Sequence, residues 1–261
     1  MPPRIGSYPV IDHIGYGLQA DVYKIEYSYK GYRQAVLKQF RPTADHWQQQ
    51  LNNEYLALKK LSQGDKPATI PAILQQNPTQ RYLIMEYLPG RPMHVPQNKR
   101  KAFVWWFKIA ETIIYAHEHG VFHCDINPNN VLVKREAVYL IDWALSVRQG
   151  NVKGIKNLPR GAWQPPEQAQ GQFGRKTDVY SLSALLLWLI SGNKPRDPIF
   201  QGRERRSKRI IQGVITHPLG TTNCRDLAIH LEKGLAGDVG LRYNSTKRLY
   251  TAIRNWFEEY S

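Results

Sequence analysis

The chain has 261 residues, of which 42% are hydrophobic and 11% aromatic, and this is enough apolar material for one large domain or for two lobes. Its 36 lysines and arginines outnumber 21 acidic residues and give a net charge of +15, which indicates acidic partners such as phosphates, acidic polypeptides or nucleic acid. Two cysteines, Cys124 and Cys224, exclude a disulfide framework. No charged-then-apolar leader is present, so the expected location is the cytoplasm.

The first predicted elements are two strands around a glycine turn. Residues 11–23 carry Gly15 and Gly17 between segments rich in Ile, Val and Tyr. Glycine lets backbone N–H groups approach a phosphate closely, because no side chain stands in the way. An ordinary hairpin turn explains this pair of glycines at least as well.

The next predicted strand, residues 34–40, places Lys38 inside an apolar run, where it either faces a binding site or projects to solvent from an edge. The following helix carries Glu54 on the same stripe as Leu51, Leu58 and Leu61. A carboxylate on an apolar face needs a partner, and Lys38 is the predicted one. In the alternative, Glu54 lies at the edge of the stripe and pairs in solvent with Lys59 or Lys60.

Two more strands are predicted at residues 71–75 and 81–87, joined by the turn-rich residues 76–79. A long amphipathic helix over residues 100–119 follows, because apolar side chains recur along one face. The most apolar stretch, residues 182–190, is far shorter than the ~20 residues that span a bilayer and is predicted as a buried helix.

The stretch 121–144 is the most informative part of the chain. Two apolar runs flank the polar residues 134–136, which predicts a hairpin. Pairing of these runs brings Asp125 and Asn130, just before the first strand, close to Asp142 at the end of the second.

Three hard oxygen side chains then converge, and such a group suits Mg²⁺, which keeps part of its shell for water and substrate phosphates. Asn130 and Asp142 form a plausible metal pair, which leaves Asp125 as the candidate base. The alternative is that these residues only form turns beside the strands.

Zinc is a second alternative, raised by His117, His119, His123 and Cys124. His117 and His119 do not share a helix face, because they are two residues apart. No second paired cluster follows, so His123 is predicted to pack as a structural histidine that braces the loop.

These motifs together resemble the catalytic domain of the eukaryotic-like Ser/Thr protein kinases. The segment His123-Cys124-Asp125 is similar to their catalytic loop, which usually reads His-Arg-Asp with a lysine two residues on, and Asp142-Trp143-Ala144 is similar to their Asp-Phe-Gly. Ala35-Val36-Leu37-Lys38 matches their lysine-bearing strand, and Pro165-Pro166-Glu167 resembles their Ala-Pro-Glu. The match covers about residues 11–250.

The resemblance implies an α+β, bilobal protein-kinase fold, with a small antiparallel-sheet lobe carrying one helix and a larger, mainly helical lobe. We expect a single catalytic domain over residues 1–261, with nothing appended, divided into lobes at 1–87 and 88–261. Glu167 is expected to pair with Arg242, and Asp178 to cap the backbone of the catalytic loop.

The resemblance also implies ATP and Mg²⁺ as cofactors, with Mn²⁺ as an alternative metal. It assigns the phosphates to Lys38, the support of Lys38 to Glu54, the substrate hydroxyl to Asp125, and the metal to Asn130 and Asp142. The residues that it implies for nucleotide binding are Ile14, Gly15, Gly17, Val22, Ala35, Lys38, Met85, Glu86, Leu88 and Leu132.

Two departures from the family pattern carry further hypotheses. Asn127 stands in place of the lysine that steadies the γ-phosphate, and Arg160 falls where the family has a threonine beside that lysine. We hypothesise that Arg160 supplies the missing charge. In the alternative, Arg160 points to solvent with other basic residues of the same loop, Arg148, Lys153 and Lys156.

A third departure concerns regulation. Cys124 replaces the arginine that would bind a phosphate on the loop, and Ser146 is the only hydroxyl residue between positions 145 and 166. A thiol cannot make the bidentate contact of an arginine. Activity without phosphorylation of this loop is therefore predicted.

The basic run at residues 202–209 is predicted to be a solvated loop, with docking of an acidic partner, nucleic acid or anionic lipid as alternatives. The function predicted for the chain is transfer of the ATP γ-phosphate to Ser or Thr of a protein substrate, and an acidic protein is one candidate substrate. The alternatives are a pseudokinase acting as a nucleotide-gated binding module, and a kinase fold acting on a small molecule.

Overall fold

The computed structural model describes residues 3–17, 19–29, 31–151, 154–155, 163–193 and 225–260. The first six strands are β1 (Arg4–Ile5), β2 (Tyr8–Tyr16), β3 (Ala20–Tyr29), β4 (Tyr32–Phe40), β5 (Ile73–Asn77) and β6 (Tyr82–Glu86). They form one antiparallel sheet in the order β1-β2-β3-β4-β6-β5. One helix, α1 (Trp47–Leu61), packs against this sheet. This is the small lobe of the predicted α+β, bilobal fold.

Strand β4 divides its side chains between two small cores. Ala35 and Leu37 are fully buried in a cluster formed among the strands. Phe40 lies on the opposite face, where it packs with Leu51 of α1. Side chains two residues apart share a face of a strand, so Lys38 projects to the same side as Phe40. The strand thus presents its lysine toward α1.

The larger lobe is mainly helical. Its long helices among the described residues are α2 (Lys99–Glu118), α3 (Arg175–Ser191), α4 (Arg225–Gly234) and α5 (Thr246–Tyr260). Helix α3 is buried nearly all round, which explains its apolar sequence over residues 182–190. The indole Nε1 of Trp106 in α2 donates to the carbonyl of Leu182 at 2.8 Å and joins α2 to α3.

A small sheet next to the pocket region carries the predicted catalytic loop. Its strands are β7 (Arg91–Pro92), β9 (Val131–Lys134) and β10 (Ala137–Leu140), in the order β10-β9-β7. The predicted hairpin is present, since Lys134 pairs with Ala137 and Val131 with Leu140. Beside it, β8 (Val121–Phe122) pairs with β11 (Val147–Arg148).

The predicted boundaries of β5 and β6 differ from the observed ones by one or two residues. Strand β5 begins at Ile73 rather than Pro71 and continues to Asn77. Strand β6 ends at Glu86, next to the expected division between 1–87 and 88–261, which stays a prediction. Within the part of the chain that the structure describes, no helix has both the length and the apolarity needed to cross a membrane.

Candidate active site

The centre of the site is an ammonium group between two carboxylates. Lys38 Nζ lies 2.8 Å from Glu54 Oε2 and 2.8 Å from Asp142 Oδ1. Burial alone would lower the pKa of Lys38, but Asp142 and Glu54 together raise that pKa above its ordinary value. Lys38 is therefore fully protonated at neutral pH, and a buried cation of this kind suits an anionic ligand.

Glu54 joins helix α1 to the segment that carries Asp142. The residue is 1% exposed, and its second oxygen, Oε1, accepts a hydrogen bond from the backbone N of Trp143 at 3.2 Å. Burial raises the pKa of Glu54, and Lys38 partly offsets this shift. The alternative pairing with Lys59 or Lys60 is wrong, because Glu54 faces inward and the ammonium of Lys59 lies over the ring of Tyr55.

Asp142 has a backbone conformation that few non-glycine residues adopt. Its φ is 62°, in the left-handed region. This turn lets its Oδ1 accept from both Lys38 and the backbone N of Ala144, the latter at 3.3 Å. Although burial alone would raise it, the pKa of Asp142 is lowered by Lys38, so the carboxylate is ionised.

Asp125 is held by two asparagines of the same loop. Asn130 Nδ2 donates to its carboxylate Oδ2 at 2.8 Å and to its carbonyl at 2.9 Å, and Asn127 Nδ2 donates to the same carbonyl at 3.1 Å. Burial in the cleft and the neighbouring charge of Asp142 raise the pKa of Asp125 to about 7, against the opposing effect of both asparagines. Such a carboxylate can take up a proton near neutral pH.

Asp178 of helix α3 holds the backbone of the loop that carries His123, Cys124 and Asp125. The fully buried carboxylate of Asp178 accepts hydrogen bonds from the backbone N of His123 at 2.9 Å and of Cys124 at 2.7 Å. His117 also bonds Asp178, at 2.8 Å, and its other ring nitrogen contacts Thr246 at 3.2 Å. The predicted cap on the loop backbone is thus present.

The histidines of the zinc alternative have other partners. His123 is buried, its ring lies 4.5 Å from that of Trp143, and its Nε2 contacts the carbonyl of Ile141 at 3.2 Å. His119 contacts the carbonyl of Tyr115 at 2.8 Å. Across the described ranges, no three His, Cys, Asp or Glu side chains form a metal cluster.

The donor set fits a magnesium ion that is shared with a substrate. The backbone N of Ile141 donates to the carbonyl of Asn130 at 2.9 Å, which brings Asn130 beside Asp142. The Asn130 Nδ2 donates its hydrogen bonds to Asp125, and the hydrogen bonds of the Asp142 carboxylate are accepted by Oδ1. Asn130 Oδ1 and Asp142 Oδ2 are therefore available as metal ligands. Two hard oxygens, completed by phosphate and water, match the preference of Mg²⁺.

A pocket between the lobes opens directly onto Lys38 and Asp142. Its lining is Ile14, Val22, Val36, Lys38, Glu54, Pro71, Met85, Glu86, Tyr87, Leu88, Leu132, Ile141 and Asp142. Seven of the ten residues expected at the nucleotide are among these: Ile14, Val22, Lys38, Met85, Glu86, Leu88 and Leu132. The apolar walls suit a flat aromatic ring, and the charged end suits phosphates.

The expectation for Ala35 is wrong. Ala35 and Lys38 are three residues apart on β4, so their side chains project from opposite faces, and Ala35 is buried in the cluster away from the pocket. Val36 lines the pocket instead. The even spacing of Val36 from Lys38 is the sequence signal that identifies it, because side chains two residues apart share a face of a strand.

Gly15 and Gly17 do not line the pocket, but Gly15 lies against a residue that does, and Gly17 allows a close approach of two backbone segments. Gly15 belongs to β2 rather than to the turn, and a Cβ there would lie 3.2 Å from the Cβ of Val22, which lines the pocket. A Cβ on Gly17 would lie 2.8 Å from the carbonyl of Ala20, whose oxygen accepts from the Gly17 N at 3.0 Å. Neither position accepts a side chain without a shift.

The sequence model of the family described as "Protein kinase domain" matches residues 8–228. The chain belongs to the protein kinase family. It is 26% identical over 99% of its length to serine/threonine-protein kinase PknD of Protochlamydia amoebophila, of which it covers 30%. It is 27% identical over 63% of its length to serine/threonine-protein kinase F of Synechocystis, covering 39% of that protein.

A third relative is the probable serine/threonine-protein kinase PknB of Lactococcus lactis, to which the chain is 26% identical over 73% of its length. The chain covers 32% of that protein. It therefore spans between 30% and 39% of the length of these three relatives.

The large lobe of this kinase contains the expected ion pair between distant segments. Arg242 Nη1 lies 2.6 Å from Glu167 Oε1, and Nη2 lies 2.9 Å from Oε2. Both side chains are buried. The pair fixes the segment that ends at Glu167 to the far part of the chain.

Cys124 and Ser146, which carry the regulatory hypothesis in this kinase, are buried. Cys124 is fully buried with a φ of 63°, and burial raises the pKa of its thiol. Ser146 is 3% exposed, and its hydroxyl lies 3.5 Å from the carbonyl of Asn53. Arg160, Lys153, Lys156 and the run at 202–209 lie outside the described residues.

Proposed function

We propose that the chain is a cytoplasmic, ATP- and Mg²⁺-dependent kinase that phosphorylates Ser or Thr hydroxyls of protein substrates. The observation that carries the proposal is the bonding of Lys38 to both Glu54 and Asp142 at one end of an apolar pocket. This arrangement joins β4, α1 and the Asp142 segment. A nucleotide in the pocket would place its phosphates at the charged end.

In this proposal Lys38 holds the phosphates, and Glu54 keeps Lys38 in place. Asn130 and Asp142 would hold Mg²⁺, or Mn²⁺ in its place, which neutralises phosphate charge when bound. Asp125 positions the hydroxyl and accepts its proton, and a pKa of about 7 suits that step at neutral pH. Transfer then breaks the bond between the γ-phosphorus and the oxygen that bridges it to the β-phosphate, forms a phosphate ester on the hydroxyl, and releases ADP.

Labelled ATP with Mg²⁺ and a generic protein substrate tests the proposal directly. Wild type should transfer label to protein, and Asp125→Asn should not, although it keeps the size of the side chain. Acid hydrolysis of the product should yield phosphoserine or phosphothreonine. Nucleotide binding without transfer would point to the alternative of a pseudokinase binding module. Transfer to a small molecule alone would point to the alternative of a kinase fold that acts on small molecules.

Arg160 remains our candidate for the charge that Asn127 lacks. The single change Arg160→Ala should lower turnover, and the double change Asn127→Lys with Arg160→Thr should restore it, since transition-state charge is held by positioned cations. Peptides with acidic and neutral flanks separate this role from simple substrate attraction. Unchanged turnover of Arg160→Ala on both peptides would contradict the hypothesis.

Activity should not require phosphorylation of the loop that follows Asp142. Cys124 is buried against Phe122, Val147 and Phe173, and its thiol cannot make the bidentate contact by which an arginine at this position would bind a loop phosphate. Phosphatase treatment should leave turnover unchanged. Loss of activity on treatment, with recovery after phosphorylation of the loop, would overturn this part of the proposal.

A further inference from the structure

A basic surface lies on the part of the chain that follows the pocket-lining residues 86–88. Between Glu86 and Glu111 the sequence has five lysines and arginines and no acidic residue. The hairpin of β9 and β10 adds two basic residues at its tip. We use the name basic face for five of these residues, which lie on neighbouring elements: Arg91, Lys101, Lys108, Lys134 and Arg135.

Contacts around one glutamate join two lysines of α2 to the hairpin tip. Lys101 Nζ lies 3.8 Å from Glu136 Oε1, and Lys108 Nζ donates to the Glu136 carbonyl. Both lysines belong to α2, whereas Glu136 belongs to the hairpin tip. Arg91 pairs with Val133, the residue before Lys134, so it flanks the tip from the other side.

The basic face has more positive charge than its own acid can balance. Glu136 is the one acidic residue between positions 131 and 141, and its side chain is 70% exposed, so its ion pair with Lys101 is weak. Among the described residues, Arg91, Lys134 and Arg135 are exposed and form no ion pair. An anion placed over these side chains would relieve their mutual repulsion.

We propose that the basic face binds an acidic segment of the protein substrate, separate from the sequence around the phosphorylated hydroxyl. This inference rests on the proposed function, because it names a feature of that function's substrate. Leu132 lines the pocket and Lys134 lies two residues further along the same strand, so one strand connects the pocket to the basic face. A docked segment would hold the substrate near the catalytic loop.

The character of the basic face favours a polypeptide over RNA or a membrane. Single-stranded RNA is usually held by exposed aromatic rings, but the nearby Trp105 is only 2% exposed. Proteins that bind a membrane surface usually insert exposed apolar side chains into it. Val104, which is 37% exposed, is the only large apolar side chain exposed on α2. An acidic peptide requires only the charges that are present.

The test uses two peptides with the same Ser/Thr acceptor sequence. One carries a block of six acidic residues behind a flexible Gly/Ser spacer of about ten residues, and the other carries six glutamines in the same place. The enzyme variants are the wild type, Lys134→Glu with Arg135→Glu, and a control, Lys247→Glu with Arg248→Glu. The control changes two exposed basic residues of α5 and alters net charge equally.

The acidic block should lower KM about tenfold in wild type and control, with kcat unchanged, as a few surface charge pairs together provide. Lys134→Glu with Arg135→Glu should lose this preference and keep its KM for the glutamine peptide. Raising the salt concentration should reduce the difference. The proposal would be overturned if the control lost the preference for the acidic peptide equally. It would also be overturned if the Lys134→Glu, Arg135→Glu variant kept that preference.

Fluorescence anisotropy of the labelled acidic block measures binding without turnover. Binding that disappears in the Lys134→Glu, Arg135→Glu variant supports the basic face even if no peptide is phosphorylated, so the two proposals can fail separately. Absence of peptide binding, with binding instead to phosphatidylserine vesicles or single-stranded RNA, would overturn the inference. So would binding that depends only on the run at 202–209.

Discussion

The two oxygens of the Asp142 carboxylate have different partners. Oδ1 accepts from Lys38 and Ala144, and Oδ2 is the oxygen left for a metal. Asp142→Asn should abolish phosphate transfer, because it removes a metal ligand without creating a cavity. Lys38 keeps its bond to Glu54, so Tm should change by no more than about 4 °C, the shift that about 1 kcal/mol produces in a chain of this size.

Turnover at saturating Mg²⁺ and thermal unfolding measure the two effects on Asp142→Asn. Turnover close to wild type would mean that Asp142 does not hold the metal. A large fall in Tm would mean that the left-handed turn itself depends on the carboxylate.

Asp125 predicts a pH profile with a defined sign. A base with a pKa raised to about 7 is protonated and inactive below that pH, so kcat/KM should rise as pH increases through about 7. Asn127→Lys places a positive charge beside this carboxylate, which lowers its pKa, and the rising limb should move to lower pH. Profiles of kcat/KM for both enzymes measure the shift, and a limb that stays in place or moves upward would contradict it.

At the same scale, Val36 and Ala35 show what residue spacing can and cannot provide. The alternation of a strand fixes which of them shares a face with Lys38, so this correction could have been made from sequence alone. The bond from Trp143 N to Glu54 could not, because it depends on the left-handed φ of Asp142. No periodicity predicts that conformation in a residue with a side chain.

Strand β4 and helix α1 meet through one ion pair, which was predicted from the position of Glu54 on an apolar stripe. Lys38→Ala leaves Glu54 buried without its cation, and Glu54→Ala frees Lys38 to pair with Asp142 alone. Expressed as free energies, the losses of turnover in the two single variants should therefore add up to more than the loss in the double variant. A double-mutant cycle on kcat measures this coupling.

Independent, multiplying losses in that cycle would mean that the pair does not act as a unit. Glu54→Gln is a useful companion variant, because an amide oxygen can still accept from Trp143 N while the charge is lost. It should lose less stability than Glu54→Ala, since the buried backbone donor keeps its acceptor.

The existence of the elements followed from sequence more closely than their ends. The apolar stripe of α1 and the paired runs of β9 and β10 predicted both elements, because each buries one face. The apolar pattern predicts that β5 begins at Pro71, two residues before its observed start at Ile73. Proline is apolar, but it lacks the N–H that a paired strand residue donates. Contacts made by residues 194–224 lie outside the described residues.

Across the whole molecule, the pair of Glu167 and Arg242 links segments 75 residues apart. Arg242→Ala leaves a buried carboxylate without its cation, which costs about 3 to 5 kcal/mol. Tm should fall by about 10 °C. Removing both partners should cost less than removing Arg242 alone, and calorimetry on the single and double variants measures the difference; an equal or larger loss in the double variant would contradict it.

The burial of Cys124 provides an internal reporter of loop opening. In a Cys224→Ser variant, Cys124 is the one thiol left in the chain. It is fully buried and its pKa is raised, so an alkylating reagent can reach a reactive thiolate only when the catalytic loop detaches from α3. The alkylation rate then measures the free energy of that opening, and a nucleotide that binds the closed form should slow alkylation in proportion to its occupancy, even in a variant that transfers no phosphate.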